Sequence, residues 1–141
     1  MLSDISGTTK LCALIGNPVA HTLSPAMHNA AFSALGLDYI YLAFPVKREN
    51  LESAVKGLQS LGAVGYNVTV PYKTAVLPLL DEIDPSAANI GAVNTVVIHE
   101  GKTKGYNTDG SGFIKWLESE GIEPAGKKIV VIGAGGASRA I

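Results

Sequence analysis

The feature that most constrains the fold of this 141-residue chain is a regular alternation of short apolar runs with segments of helical periodicity. Strands separated by helices of this length form βαβ units, in which the helix joins two parallel strands of one sheet. The apolar runs predict strands at residues 11–15, 39–44, 65–68, 95–99, 104–106 and 129–132. The sequence therefore predicts an α/β fold with a mainly parallel sheet flanked by helices.

End signals and apolar spacing predict helices between these strands. The first begins at Ser24, interpreted as the N-cap, because Pro25 then occupies the first helical position, where no N–H is needed. It ends at Gly36, a residue typical of helix C-termini. Apolar residues at helical spacing predict the remaining helices at residues 49–61, 72–80, 85–90 and 111–120.

Composition and charge argue against several classes of partner. The 11 Lys and Arg residues against 12 Asp and Glu give a net charge of −1 without a basic block, which disfavours nucleic acid. Charges, Gly or Pro interrupt every apolar run short of the roughly 18–20 residues of a membrane span, and the N-terminus lacks the apolar core of a secretory signal. The single cysteine, Cys12, is interpreted as a buried, inert thiol. We therefore expect a cytoplasmic enzyme or binding domain.

Polar side chains cluster where predicted strands run into helices, which is where ligands bind in parallel sheets. Thr22 and Ser24 place two hydroxyls on the loop before the first helix. Two hydroxyls beside free helix N–H groups suit a carboxylate or a polyol, although spacing alone favours an N-cap and an ordinary loop residue. Asn67 and Thr69 end a strand two positions apart and so point to the same face.

One potential ion pair lies within this polar set. Lys73 follows a predicted strand at a predicted helix start, where the helix dipole disfavours a cation, so an ordered lysine there needs a carboxylate neighbour. Asp109, at another strand end, is the candidate, although a solvated lysine and a helix-capping aspartate are the simpler readings. Asn94, before a strand, adds a donor and an acceptor. The three histidines show no metal-ligand spacing, and no metal site is predicted.

The final thirteen residues, "IVVIGAGGASRAI", have the pattern that opens a dinucleotide-binding unit. A strand runs into a glycine-rich turn and a helix start, whose free N–H groups favour a phosphate, although a plain turn is equally consistent with the pattern. The candidate cofactor-binding residues are Gly133, Ala134, Gly135, Gly136 and Ala137. Residues 121–127 mix Gly, Pro and charge and are interpreted as a linker, which gives a body at residues 1–120 and the truncated first strand of a Rossmann domain at residues 128–141.

The ordered series "SPAMHN", "NVTVPYK", "GAVNT", "GYNTDG" and "GAGGASRA" resembles the shikimate dehydrogenase family over residues 15–139. The resemblance implies an NADP-dependent oxidoreductase that interconverts 3-dehydroshikimate and shikimate in the shikimate pathway of chorismate and aromatic amino acid biosynthesis. A substrate-binding domain and an NADP-binding Rossmann domain would face each other across a cleft. Matching the motifs implies a proton-transferring lysine paired with a carboxylate, Lys73 with Asp109. The implied substrate contacts are Thr22, Ser24, Asn67, Thr69, Lys73, Asn94 and Asp109.

Two departures from the family pattern limit these expectations. Thr22 stands where the family usually has serine, which leaves the choice between shikimate and quinate open. The family also continues well past residue 141, so this chain alone is expected to be inactive. The alternatives are a stand-alone module that binds a shikimate- or quinate-type ligand, and a different reductase such as a folate-linked methylene dehydrogenase. A monomer and a homodimer both remain open.

Overall fold

A six-stranded sheet forms the centre of the fold, in the order β2-β1-β3-β5-β6-β4. The computed structural model describes residues 5–141, so the first four residues of the predicted body, and of the segment assessed as a secretory signal, lie outside the described residues. The strands are β1 Lys10–Gly16, β2 Tyr39–Pro45, β3 Gly65–Val68, β4 Glu82–Ile83, β5 Thr95–His99 and β6 Lys102–Tyr106.

The pairing of the strands is mixed but mostly parallel. The central strand β1 runs parallel to β2 and β3, and β4 runs parallel to β6. β5 is antiparallel to both β3 and β6. A two-residue turn joins β5 to β6, with Glu100 at φ 50° and Gly101 at φ 74°, and such a tight hairpin forces an antiparallel pairing. The predicted α/β fold with a mainly parallel sheet is confirmed.

Within residues 5–141, four α-helices flank the sheet, namely α1 Ser24–Ala34, α2 Leu51–Ser60, α3 Pro85–Ile90 and α4 Asp109–Ser119, with short 3₁₀ turns at Arg48–Asn50 and Leu77–Leu79. The prediction of a helix at residues 72–80 is wrong, because turns and the second 3₁₀ segment occupy this stretch. Pro78 lacks an N–H, and its ring would clash with the carbonyl four residues earlier in a continuous helix. No described helix combines the length and the apolar character needed to cross a bilayer.

Two further local predictions are wrong. Ser24 is the first residue of α1 and Leu23 holds the N-cap position, while the Thr22 hydroxyl accepts a hydrogen bond from the Ser24 N–H at 3.2 Å. No described side chain caps α1 at its N-cap position, because that position is held by Leu23. Residues 129–132 do not form a strand, and no strand within residues 5–141 lies beside them to pair. The two-residue strand β4 was not predicted.

The two faces of the sheet are packed differently. The face under α2 holds the larger core, in which Ile15, Val55 and Val96 are each about 1% exposed. The face under α1 holds a smaller cluster around Leu14, Val19 and Tyr41, with Cys12 half-buried at its margin. Cys12 was predicted to be buried and is only half-buried, but this burial raises the pKa of its thiol and so favours the protonated, poorly nucleophilic form.

Candidate active site

Lys73 and Asp109 form the ion pair at the centre of the candidate site. The Lys73 Nζ lies 2.5 Å from an Asp109 carboxylate oxygen, and the two side chains are only 14% and 26% exposed. Lys73 lies in the turn after β3, not in a helix as predicted, and Asp109 is the first residue of α4. The Lys73 carbonyl accepts a hydrogen bond from the Val93 N–H at 2.7 Å, which fixes the lysine backbone. The predicted pair is confirmed as a contact.

Asn94 links this pair to the sheet. Its side-chain amide donates to the second Asp109 oxygen at 2.8 Å, so each carboxylate oxygen has its own partner. Its amide oxygen accepts from the Thr108 N–H at 3.0 Å, which ties the asparagine to the start of α4. Its backbone bridges the ends of two strands, because the carbonyl accepts from Val68 and the N–H donates to Tyr106. Asn94 therefore sets the position of Asp109 relative to β3 and β6.

Asn67 continues the polar network from Asn94 toward β2. Its amide group donates to the Asn94 carbonyl at 3.2 Å and to the Thr95 hydroxyl at 3.1 Å. Its side-chain oxygen accepts from the Tyr41 hydroxyl at 2.6 Å. Burial, and to a lesser extent the negative charge that Cys12 acquires at alkaline pH, raises the pKa of Tyr41 to about 12. The tyrosine is therefore a protonated donor at neutral pH, which fixes the orientation of the Asn67 amide.

Tyr41 is itself held by two residues of the "SPAMHN" motif. The Asn29 side chain accepts from the Tyr41 N–H at 2.8 Å and donates to its carbonyl at 3.0 Å, thereby pairing with the outer edge of β2. The His28 ring stacks on the tyrosine ring with centroids 4.3 Å apart. Tyr41 was not predicted from the sequence as part of the site. The alternation of side chains in β2, which places this residue on the α1 face, was the available signal.

The paired hydroxyls lie on the neighbouring loop. The Thr22 hydroxyl donates to the Ser24 hydroxyl at 3.1 Å, so the two predicted residues are brought together. Their loop is tied to the Lys73 loop, because the Asn17 N–H donates to the Val70 carbonyl at 2.9 Å. Within residues 5–141 the observed hydrogen bonds do not connect this pair to the Asp109 network.

Thr69 lies where the ends of β1 and β3 meet. Its N–H donates to the Ile15 carbonyl at 3.0 Å, which extends the parallel pairing of the two strands by one position. Its methyl group packs on Gly16, in the space that a Cβ at that position would occupy. Thr69 therefore lies at the carboxyl ends of β1 and β3, the edge of the sheet at which ligand contacts are predicted.

The glycine-rich loop of the tail lies against the Lys73 turn. The two segments line a cavity of about 310 Å³ with Val70, Pro71, Lys73 and Thr74 on one side and residues 134–137 with Arg139 on the other. The Arg139 N–H and the Ser138 hydroxyl both bond to the Gly135 carbonyl, at 3.2 and 2.9 Å, and form a single helical turn. Within residues 5–141 this stretch is a single turn, so neither the predicted strand nor the predicted helix is formed.

The residues of this loop are compatible with a dinucleotide diphosphate. Gly133 adopts φ 123°, a backbone conformation that favours glycine, and a Cβ built on Gly135 would meet nothing within 4 Å, so a ligand can approach its backbone. Lys73 and Arg139 supply positive charge at the same cavity. Within residues 5–141 no cluster of three His, Cys, Asp or Glu side chains is arranged to hold a metal ion.

Comparison with known proteins identifies the family. A family model described as the shikimate dehydrogenase substrate binding domain matches residues 14–96. The chain is 57% identical over 138 residues to the shikimate dehydrogenase (NADP(+)) of Moorella thermoacetica, covering 98% of this chain and 47% of that protein. The chain thus spans about half the length of the curated relatives it matches.

Two solved structures of shikimate dehydrogenases share the described fold. Shikimate 5-dehydrogenase from Listeria monocytogenes, in complex with shikimate and NAD, superposes with a TM-score of 0.90 at 45% identity, covering 99% of this chain and 48% of that one. The Thermus thermophilus enzyme, in complex with NADP(H) and shikimate, has a TM-score of 0.88 at 45% identity, covering 94% and 50%. Because the family model matches more than half of its residues, this chain belongs to the shikimate dehydrogenase family and carries that family's substrate-binding domain.

Proposed function

We propose that this chain is the substrate-binding half of an NADP-dependent shikimate dehydrogenase, which interconverts 3-dehydroshikimate and shikimate. The Lys73–Asp109 pair is the observation that carries the proposal, because it places a half-buried ammonium and its carboxylate partner at the ligand-binding edge of the sheet. The relatives named as NADP(+) enzymes, and the solved complexes with shikimate, support it. The proposed partners are these two small molecules, and the biosynthetic role implies a cytoplasmic location.

We divide the protein into a substrate-binding body at residues 1–120, a linker at 121–127 and the start of an NADP-binding domain at 128–141. The end of α4 at Ser119 supports the first boundary. Gly121 and Gly126, both at positive φ, flank the proposed linker and permit its turns. Exposed apolar residues at 129–132 support a second unit that needs further chain to bury them.

Lys73 is proposed to move the proton on the substrate C3 oxygen. In the direction of reduction its ammonium donates a proton to the oxygen as the carbonyl becomes a hydroxyl, and in oxidation its amine takes the proton back. Asp109 accepts a hydrogen bond from the Nζ and stabilises the charged lysine, while Asn94 holds the other carboxylate oxygen. Bound NADP supplies the hydride chemistry, and the residues of this chain supply position and electrostatics.

The remaining polar residues are proposed to orient the substrate ring. Thr22 and Ser24 offer two hydroxyls 3.1 Å apart, which suit the two oxygens of the substrate carboxylate. Asn67, Thr69, Asn94 and Asp109 are the proposed contacts to the ring hydroxyls. Asn67 and Asn94 are already fixed by hydrogen bonds within the protein, so they would meet the substrate without a loss of side-chain freedom.

The test is turnover by the full-length protein that carries this half, with Lys73→Ala as the variant. Loss of a general acid–base group typically lowers the rate by about 10² to 10⁴-fold, so we expect a fall in kcat of this size with the KM for shikimate nearly unchanged. Lys56→Ala is the matched control, because Lys56 also pairs with a carboxylate, Glu52 at 2.6 Å, but on the exposed surface of α2.

The assays should compare shikimate with quinate and NADP⁺ with NAD⁺, since Thr22 leaves the first choice open. The 141-residue chain alone serves as the blank and is expected to show no turnover. Normal turnover in Lys73→Ala, with a large rise in the KM for shikimate, would contradict the proton-transfer role and leave Lys73 as a binding residue only.

A further inference from the structure

Gly136 of the tail lies directly on the aliphatic stem of Lys73. A Cβ built on Gly136 would lie 2.8 Å from the Lys73 Cβ and 3.4 Å from its Cδ, and real Cβ atoms essentially never approach another atom within 3.0 Å. The nearest atom is bonded to the lysine backbone, so rotation of the side chain cannot relieve the clash. With the loop in this place, position 136 accommodates only glycine.

Two glycines of the body, Gly110 and Gly91, also allow the tail to approach closely. The carbonyl of Ala140 occupies the space that a Cβ on Gly110, the residue after Asp109, would need. The Arg139 guanidinium lies 3.2 Å from the Cβ position of Gly91, at the end of α3. Gly136 and Gly110 thus let the tail lie against the Lys73 turn and the start of α4, and Gly91 admits Arg139 at the end of α3.

The exposure pattern of the tail agrees with this contact. Alternate residues of the loop, Gly136, Ser138 and Ala140, are half-buried, whereas Gly135 and Ala137 are exposed. One side of the loop therefore faces the body, and the other remains available to a ligand. Ala137 and the apolar residues 129–132 remain exposed, so the contacts of residues 136–140 with the body hold the loop in place.

We propose that Gly136 is a positioning residue for Lys73, so that the loop expected to bind the cofactor diphosphate also holds the lysine that transfers the proton. The functional part of this inference rests on the proposed function. A lysine side chain has four rotatable bonds, and Asp109 restrains only its far end. The loop restrains the stem from Cβ to Cδ, so the ammonium is held from both ends.

The contact can be tested in the 141-residue chain without any cofactor, by NMR of ¹³C-labelled lysine side chains. Gly136→Ala should shift the Lys73 signals, because either the loop or the stem must move. Gly135→Ala is the matched control: it changes the adjacent loop residue in the same way, but its added methyl would meet nothing within 4 Å. We expect Lys73 signals unchanged in Gly135→Ala, and Lys56 signals unchanged in both.

Two results of this comparison would overturn the contact. One is an equal Lys73 shift in Gly135→Ala and Gly136→Ala, and the other is an unchanged Lys73 signal in Gly136→Ala.

The positioning role is tested by kinetics of the full-length protein. Because a misplacement of about 1 Å at a reacting group can lower a rate by about 10²-fold, Gly136→Ala should lower kcat by about tenfold to a hundredfold at saturating cofactor and shikimate. It should also shift the pH profile of kcat. Gly135→Ala should mainly raise the KM for NADP. An unchanged kcat and pH profile in Gly136→Ala would overturn the positioning role.

The two proposals fail in different experiments. Normal turnover in Lys73→Ala removes the proton-transfer role, and with it the kinetic part of this inference. The NMR comparison does not depend on turnover, so a shift confined to Gly136→Ala would still support the contact between the loop and the lysine.

Discussion

Two apolar runs of this chain have similar sequences, but one forms a strand and the other does not. "LCALIG" in β1 and "IVVIG" at residues 129–133 both end in a glycine that leads into a loop. β1 lies between β2 and β3, and its Ile15 is 1% exposed. The second run is irregular, and its Ile132 is 96% exposed. An apolar run becomes a strand only where neighbouring strands satisfy its backbone.

The proposed substrate contacts and the proposed cofactor-binding loop differ in the same way. The end of β1 leads into the Thr22–Ser24 loop and is tied to the Lys73 turn, so the proposed substrate contacts are held together within the described residues. The tail contributes a glycine loop that rests on Lys73. The substrate-binding half is therefore preorganised by its own sheet, whereas the tail is placed mainly by contact with that half.

The largest expected effect comes from matched isoleucines in the two runs. Ile15→Ala leaves a cavity in the larger core and should lower the free energy of unfolding by about 2–5 kcal/mol. Ile132→Ala removes an exposed side chain and should change it by less than about 0.5 kcal/mol. Urea unfolding of the 141-residue chain, followed by circular dichroism, measures both. Similar losses in the two variants would contradict the comparison.

A smaller loss of stability is expected when the hydrogen-bond network around Asn67, which has no counterpart in the tail, is disrupted. Tyr41→Phe removes the hydrogen bond to Asn67 and should lower the free energy of unfolding by about 0.5–1.5 kcal/mol. Tyr39→Phe, two residues earlier on the same strand, is the matched control for loss of a hydroxyl.

The pH dependence of the Tyr41 effect has a definite sign. The folded state raises the pKa of Tyr41 to about 12, so it holds the proton more tightly than the unfolded chain. Stability is therefore complete below about pH 10, the ordinary tyrosine pKa, and declines as the pH rises toward 12. Tyr41→Phe should show a shallower alkaline decline than the parent chain. An identical slope in both would mean that Tyr41 titrates normally.

Local patterns in the sequence were sufficient for most of the fold. β3 and β5 begin and end where predicted, because turn residues flank their alternating side chains. β4 could not be predicted from the sequence, because a two-residue strand exists only through its pairing with β6. Apolar spacing favoured a helix at 72–80 and a strand at 129–132, but neither formed. Pro78 interrupts the first segment, and the second pairs with no neighbouring strand within residues 5–141.

The contact between Lys73 and Asp109 was predictable from the sequence, but Tyr41 and the connections of the polar network were not. The placement of polar residues at strand ends brought Lys73 and Asp109 together before any geometry was known. The hydrogen bond from Tyr41 to Asn67 spans 26 positions and depends on the register of three strands, which the sequence does not specify. The contact of Gly136 with Lys73 depends on how two segments pack, and a glycine in a phosphate-loop pattern already has a sufficient local explanation.

The smallest expected effect is removal of the tail itself. A chain of residues 1–126 should unfold within about 0.5 kcal/mol of the 141-residue chain, because the removed residues bury little apolar surface. Lys73, now 14% exposed, should become more accessible to amine-modifying reagents, since the loop no longer covers its stem. Urea unfolding and mass-spectrometric mapping of modified lysines measure the two effects, with Lys56 as the internal reference. A loss above about 1 kcal/mol, a large value for surface residues, would show that the tail is part of the folded body and that the contrast with β1 is one of exposure alone.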